Sequence, residues 1–248
     1  MKPFAWQAVF FIPIPLHEPA ITMAVNKEVF QAISDELKGN GVTLVAVSKT
    51  KPAADILELY ELGQRDFGEN YVQELVDKAA QLPADIRWHF IGHLQSNKVK
   101  FIAPFVHLVH GVDSLKLLQE INKQALKQAK VIDCLLQVYI AKEETKFGLD
   151  ETELAAVMAY LVNDQPLKNI RIRGFMGMAS FSDNPKQVRA EFRQLRRFFD
   201  QYNSDSSPVF QIDTLSMGMS GDYKIAIEEG SNMVRIGSLL FGERTRPV

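Results

Sequence analysis

The sequence predicts an α/β fold: a single (β/α)8 barrel of the TIM-barrel type, with an extra N-terminal helix. Three observations carry this. Short β-rich runs alternate with helix-patterned stretches from Val25 onward, and eight such runs can be counted. Eight units in roughly 210 residues suit a closed barrel. The alternative is an open doubly wound sheet, but no Gly-x-Gly-x-x-Gly follows the first strand.

The elements follow in order. A helix over Asn26–Lys38 places Phe30, Ile33 and Leu37 on one face at three- and four-residue spacing. The strands are "TLVAVS", "RDFGE", "RWHFIG", "VHLVHGV", "VIDCLLQVYI", "IRIRGFMGM", "FQIDTLSM" and "MVRIGSL". The helices between them span Ala53–Leu62, Tyr71–Ala80, Ser96–Ile102, Ser114–Ala129, Glu151–Val162, Pro185–Tyr202 and Tyr223–Glu229. Asp113-Ser114 and Asp183-Asn184-Pro185 are helix-start signals, because a short polar side chain caps orphan amides and proline suits the first helical position. "YNSDSSP" reads as a loop rather than a linker, and no internal repeat divides the chain.

Composition excludes several classes. The 248 residues are 46% hydrophobic and 23% charged, as in an ordinary globular protein. A net charge of -2 gives no footprint for nucleic acid or a membrane surface. The single cysteine, Cys134, lies in an apolar run and reads as a small buried side chain. Without Cys-x-x-Cys and with five scattered histidines, no zinc site is expected. These features suit a reducing, cytoplasmic compartment. Residues 1–22 read as an N-terminal extension, with Met23 opening the domain over 23–248. A weak signal peptide is the alternative, but Pro13 and Pro15 break its apolar stretch.

In such a barrel the active face lies at the strand C-termini. The first strand ends in Ser48-Lys49, the second in Gly68-Glu69-Asn70, the third in His89 to Gly92 and the fourth in His110. The sixth ends in Met176 to Ser180, the seventh in Ser216 to Ser220 and the eighth in Arg235 to Ser238. Alternation puts Lys49 on one face with Val45 and Val47. An inward amine in a poorly hydrated mouth loses basicity and can attack a carbonyl to form a Schiff base. The competing reading is a surface lysine snorkelling to water. Lys51, before Pro52, reads as a solvated turn residue. "SMGMSGD" and "RIGS" carry small residues that allow close approach of an anion such as phosphate. Arg235 adds a cation within an apolar strand, with pairing to Asp213 or Glu228 as the alternative.

Taken together, "AVSKTKP", "FGENYVQE", "WHFIGHLQSNK" and "LSMGMSGDYKIAIEEGSNMVRIGSLLFGER" closely resemble the pyridoxal phosphate homeostasis protein family, from about Val42 to Arg244. That resemblance implies a barrel similar to the N-terminal domain of alanine racemase, the type III fold of pyridoxal 5'-phosphate (PLP) proteins. It implies that Lys49 carries PLP as a Schiff base and that Asn70 lines the cofactor. Ser216, Gly237 and Ser238 match phosphate-side residues, with Met217 and Gly218 shaping that wall. Arg235 matches an arginine facing the pyridine nitrogen, and Lys146 a second lysine involved in cofactor transfer.

The resemblance also implies a reversible PLP carrier or regulator rather than an enzyme. An arginine at the ring nitrogen keeps it unprotonated, which weakens the electron sink. Alanine racemase overcomes this with a base from another domain. With the sequence ending at Val248, no such domain is expected. The alternative is a low-activity amino-acid racemase using His89, His110 or Tyr223, and a third reading is a phosphate-ligand barrel enzyme unrelated to PLP. The expected partners are PLP and PLP-dependent apo-enzymes, with no nucleic acid or membrane, and the expected state is a monomer.

Overall fold

The eight strands close into one parallel barrel in sequence order, β1 to β8, in a computed structural model of the chain. The structure describes residues 25–141, 147–163, 167–203 and 209–242. The N-terminal extension assigned to residues 1–22 and the second lysine, Lys146, lie outside them. The strands are β1 (Thr43–Val47), β2 (Asp66–Glu69), β3 (Arg87–Phe90), β4 (Leu108–Val112), β5 (Ile132–Gln137), β6 (Ile170–Met176), β7 (Phe210–Met219) and β8 (Met233–Ile236). The helices are α1 (Lys27–Gly39), α2 (Ala53–Glu61), α3 (Val72–Ala79), α4 (Val99–Ile102), α5 (Leu115–Lys127), α6 (Glu151–Asn163), α7 (Pro185–Tyr202), α8 (Tyr223–Glu228) and α9 (Ser238–Phe241).

The helix starts form where short polar side chains meet orphan amides. Asn26 accepts from the Val29 amide at 3.1 Å, Ser114 from Leu117 at 3.3 Å and Asn184 from Lys186 at 3.1 Å. One expectation is corrected at the last element. "MVRIGSL" is not strand throughout: β8 stops at Ile236, and Ser238 to Phe241 turn into α9. The Asn26 amide donates to the Leu240 carbonyl at 2.8 Å, tying the start of α1 to this final turn.

Two apolar layers result from strand alternation. Outward residues such as Leu44, Ala46, Phe67 and Phe90 pack with the helices. Inward residues Val45, Leu108, Leu135, Met176 and Met233 fill the barrel. The inward set is small because polar groups share the interior: His89, His110, Ser216 and Arg235 are all at most 4% exposed. Cys134 is fully buried, and burial pushes its thiol far above its ordinary range. Among the described residues no helix is long and apolar enough to cross a membrane.

The N-terminal ends of the strands are laced by ion pairs. Arg87 bonds Asp66 through two nitrogens, Arg171 bonds Asp133 at 2.7 Å, and Arg173 joins Asp133 to Asp213. At the opposite rim the side chains converge on a cavity instead.

Candidate functional site

The cavity has a volume of about 610 Å³ and opens at the C-terminal ends of the strands. Its lining draws Lys49 and Lys51 from the loop after β1, Asn70 after β2, Arg235 on β8, and Gly237 and Ser238 beyond it. The segments Met178–Asp183 after β6 and Met219–Asp222 after β7 complete it. Alternation explains Lys49. Val45 is inside the barrel, Val47 lines the cavity, and Lys49 continues that face, half-buried.

Arg235 stands opposite in the sheet register, beside Val45 of β1. It is 4% exposed, and burial lowers its basicity to about 10, so it stays charged at neutral pH. Pairing with Asp213 or Glu228 does not occur, because Asp213 binds Arg173 and Glu228 binds Arg189. Instead Arg235 Nη1 donates to Ser216 Oγ at 2.7 Å and Nη2 to the Gly177 carbonyl at 3.0 Å.

That contact begins a buried chain through the barrel. Ser216 Oγ lies 3.2 Å from His110 Nδ1, His110 Nε2 lies 2.9 Å from His89 Nδ1, and His89 Nε2 lies 2.9 Å from Asp66 Oδ1. An arginine only donates and a carboxylate only accepts. The two ends of the chain are therefore fixed: Arg235 donates to Ser216, and His89 Nε2–H donates to Asp66. Burial, then the neighbouring His89 and Arg235, holds the His110 pKa well below 6.5.

A pH dependence follows. Below pH 6.5 the unfolded chain protonates His110 while the folded chain does not, so stability present above that pH is lost as pH falls. His107, which packs edge-on against His89 and is depressed chiefly by burial, acts in the same direction. Unfolding midpoints in urea should fall between about pH 7.5 and about pH 5.5, by up to about 1.4 kcal/mol per pH unit for His110. His110→Gln should flatten this slope; an equal slope in both proteins would refute the assignment.

The structure therefore brings five of the sequence-derived residues together at the cavity: Lys49, Asn70, Arg235, Gly237 and Ser238. Ser216 lies one hydrogen bond beneath the lining, under Arg235. Met217 and Gly218 do not shape the wall. The β7–β8 register runs from Ser216↔Met233 to Met219↔Arg235, so β7 carries one extra residue there and alternation breaks. Met217 consequently packs in the outer core, and Gly218 sits at φ +96°, where a Cβ would lie 2.6 Å from Ala226 of α8. Lys51 is likewise corrected: its amine is not left to water but donates to the Phe241 carbonyl at 2.6 Å. Ser220, Gly221 and Asp222 join the lining because the bulge carries this turn to the rim. Their place in "SMGMSGD" was the available signal.

The candidate second bases stand elsewhere. His89 and His110 are sealed in the barrel chain, and the Tyr223 hydroxyl lies 3.2 Å from Glu36 of α1. None of the three lines the cavity.

The donor set fits a small aldehyde bearing a phosphate. A primary amine and a guanidinium share the cavity, and the lining carries three basic side chains (Lys49, Lys51 and Arg235) against two acidic ones (Asp183 and Asp222). Among the described residues the buried Asn70 Oδ1 has no hydrogen-bond partner, which leaves an acceptor to be satisfied at the lining. The Gly237 amide donates only a long 3.3 Å bond to Ser220 Oγ, and a Cβ at Gly237 would lie 3.1 Å from the Val47 carbonyl.

Residues 24–245 match the family model described as alanine racemase, N-terminal domain. A pyridoxal phosphate homeostasis protein of Aquifex aeolicus is 42% identical over 206 residues, 83% of this chain and 88% of that protein. One from Vibrio alginolyticus is 44% identical over 209 residues, 82% and 87% of the two chains. The structure of PipY of Synechococcus elongatus with PLP bound aligns with a TM-score of 0.77 and 36% identity, covering 87% of this chain and 99% of that one. The fold and site thus define a barrel of the alanine racemase N-terminal class. Within it, the chain belongs to the pyridoxal phosphate homeostasis protein family.

Proposed function

We propose that this protein binds PLP reversibly through Lys49 and acts in PLP homeostasis as a carrier or regulator. One observation carries the reading: an amine after β1 and a buried guanidinium on β8 meet in one cavity beside the small residues Ser220, Gly237 and Ser238. The structure of PipY with PLP bound supports the ligand, and the relatives' shared name supports the role.

PLP supplies a reactive aldehyde and a ring that withdraws electrons. Lys49 would hold the aldehyde end, Asn70 would satisfy its acceptor against the ligand, and Ser220, Gly237 and Ser238 would hold the phosphate. Arg235 has donors only, so at a ring nitrogen it favours the unprotonated form. The seclusion of His89, His110 and Tyr223 supports a holding role over racemisation. The same reading takes the protein as a cytoplasmic monomer that passes PLP to apo-enzymes, with Lys146 assisting transfer.

Titrating the purified protein with PLP while recording its visible spectrum tests this. Saturable colour that borohydride fixes on Lys49 is expected, and a protein that stays colourless would overturn the reading. Chiral analysis of alanine and serine at high protein concentration should show no turnover above that of free PLP.

A further inference from the structure

The segment presenting Lys49 is gripped from outside the cavity. Ser48 Oγ donates to Glu69 Oε1 at 2.6 Å. Lys78 Nζ, from α3, donates to the Ser48 carbonyl at 2.8 Å and to Glu69 Oε1 and Glu74 Oε1 at 2.7 Å each. Glu74 Oε1 also accepts from the Thr50 amide at 2.5 Å. Lys49 therefore sits between two residues whose polar groups converge on the same ion cluster. Within this grip the Thr50 backbone is strained. Its φ is +65°, a left-handed conformation that a β-branched residue rarely adopts.

The cluster is costly to bury. Glu69 is 0% exposed and Lys78 6%, and Glu69 Oε2 has no hydrogen-bond partner among the described residues. Burial raises the Glu69 pKa despite Lys78 and Ser48 beside it. Desolvation of this kind offsets much of the attraction within an ion pair, so stability alone does not explain the cluster. Its three attachment points lie on the backbone or side chain of the residues either side of Lys49.

We propose that Lys78, Glu69 and Glu74 are positioning residues for Lys49, holding Ser48 and Thr50 so that the Lys49 amine is delivered to the cavity ready to capture an aldehyde. This deepens the PLP reading and rests on it. In the capture step Lys49 Nζ bonds to the aldehyde carbon, a C=N bond replaces C=O, and the carbonyl oxygen leaves as water with the two amine protons. Nothing is oxidised or reduced. Preorganisation of this kind acts on rate, because a misplacement near 1 Å can cost as much as about a hundredfold.

The test uses the full chain and measures the rate of borohydride-trapped PLP on Lys49. It also measures affinity for pyridoxamine 5'-phosphate, which keeps ring and phosphate but has no aldehyde. Glu74→Ala removes the Thr50 anchor at a half-buried site while leaving the Lys78–Glu69 pair in place. It should slow capture about tenfold and leave pyridoxamine 5'-phosphate affinity unchanged. Adding Thr50→Gly, which relieves the left-handed penalty, should recover part of that rate. Lys78→Met should slow capture further, with circular dichroism checking that it folds. Wild-type capture rates in folded Glu74→Ala and Lys78→Met would overturn the positioning role, as would equal losses for both ligands. If wild-type protein captures no PLP, the underlying functional reading fails instead.

Discussion

Lys49→Ala should abolish the proposed covalent capture of PLP and weaken its retention by on the order of 100-fold, ~2.7 kcal/mol. The effect is large because the neighbouring amine cannot take over. Lys51 also lines the cavity, but its Nζ is bonded to the Phe241 carbonyl at 2.6 Å. Lys51→Ala should therefore still be labelled at Lys49. Lys49 is only half-buried, so its truncation should leave the thermal midpoint nearly unchanged. Borohydride reduction followed by peptide mass analysis reads both variants. Undiminished labelling of Lys49→Ala at another lysine would contradict the assignment.

Gly174→Ala should destabilise the protein by about 3 kcal/mol, lowering its thermal midpoint by roughly 10 °C. Gly174 lies in β6 with φ +139°, and an added Cβ would stand 1.9 Å from the Thr214 carbonyl of β7. Neither backbone can retreat, because both belong to the closed sheet. The residue also marks a bulge: β5 and β6 pair Cys134↔Ile172 and then Leu135↔Gly174, so β6 carries one extra residue. Downstream of that bulge, the Gly177 carbonyl accepts from Arg235, and Met178 to Asp183 form one wall of the cavity. Calorimetry should show the loss of stability, and PLP affinity should fall with it. An unchanged midpoint would mean that the strands part more easily than this packing allows.

The barrel was legible because its signals are local. The strands are short β-rich runs between helix-patterned stretches, and α1, α5 and α7 carry their own side-chain caps, so Ser114 and Asn184 could be read as starts before any contact was known. Period-two alternation put Lys49 on the face of Val45 and Val47, with a solvated surface lysine as the competing reading. Met217 and Gly218 were misplaced for the same reason. A bulge between Ser216 and Met219, seen only in the pairing with β8, breaks that period. Lys51 was misread because its acceptor, the Phe241 carbonyl, is 190 positions away.

The sequence by itself determined the alternation of eight strands and helices and which residues stand at the C-terminal ends of the strands. Only the tertiary structure decided which polar groups share the interior. The chain from Arg235 through Ser216, His110 and His89 to Asp66 draws on β8, β7, β4, β3 and β2. Barrel closure brings these distant segments together. Once water is excluded, each donor must find its acceptor across the barrel, a demand that local sequence does not express.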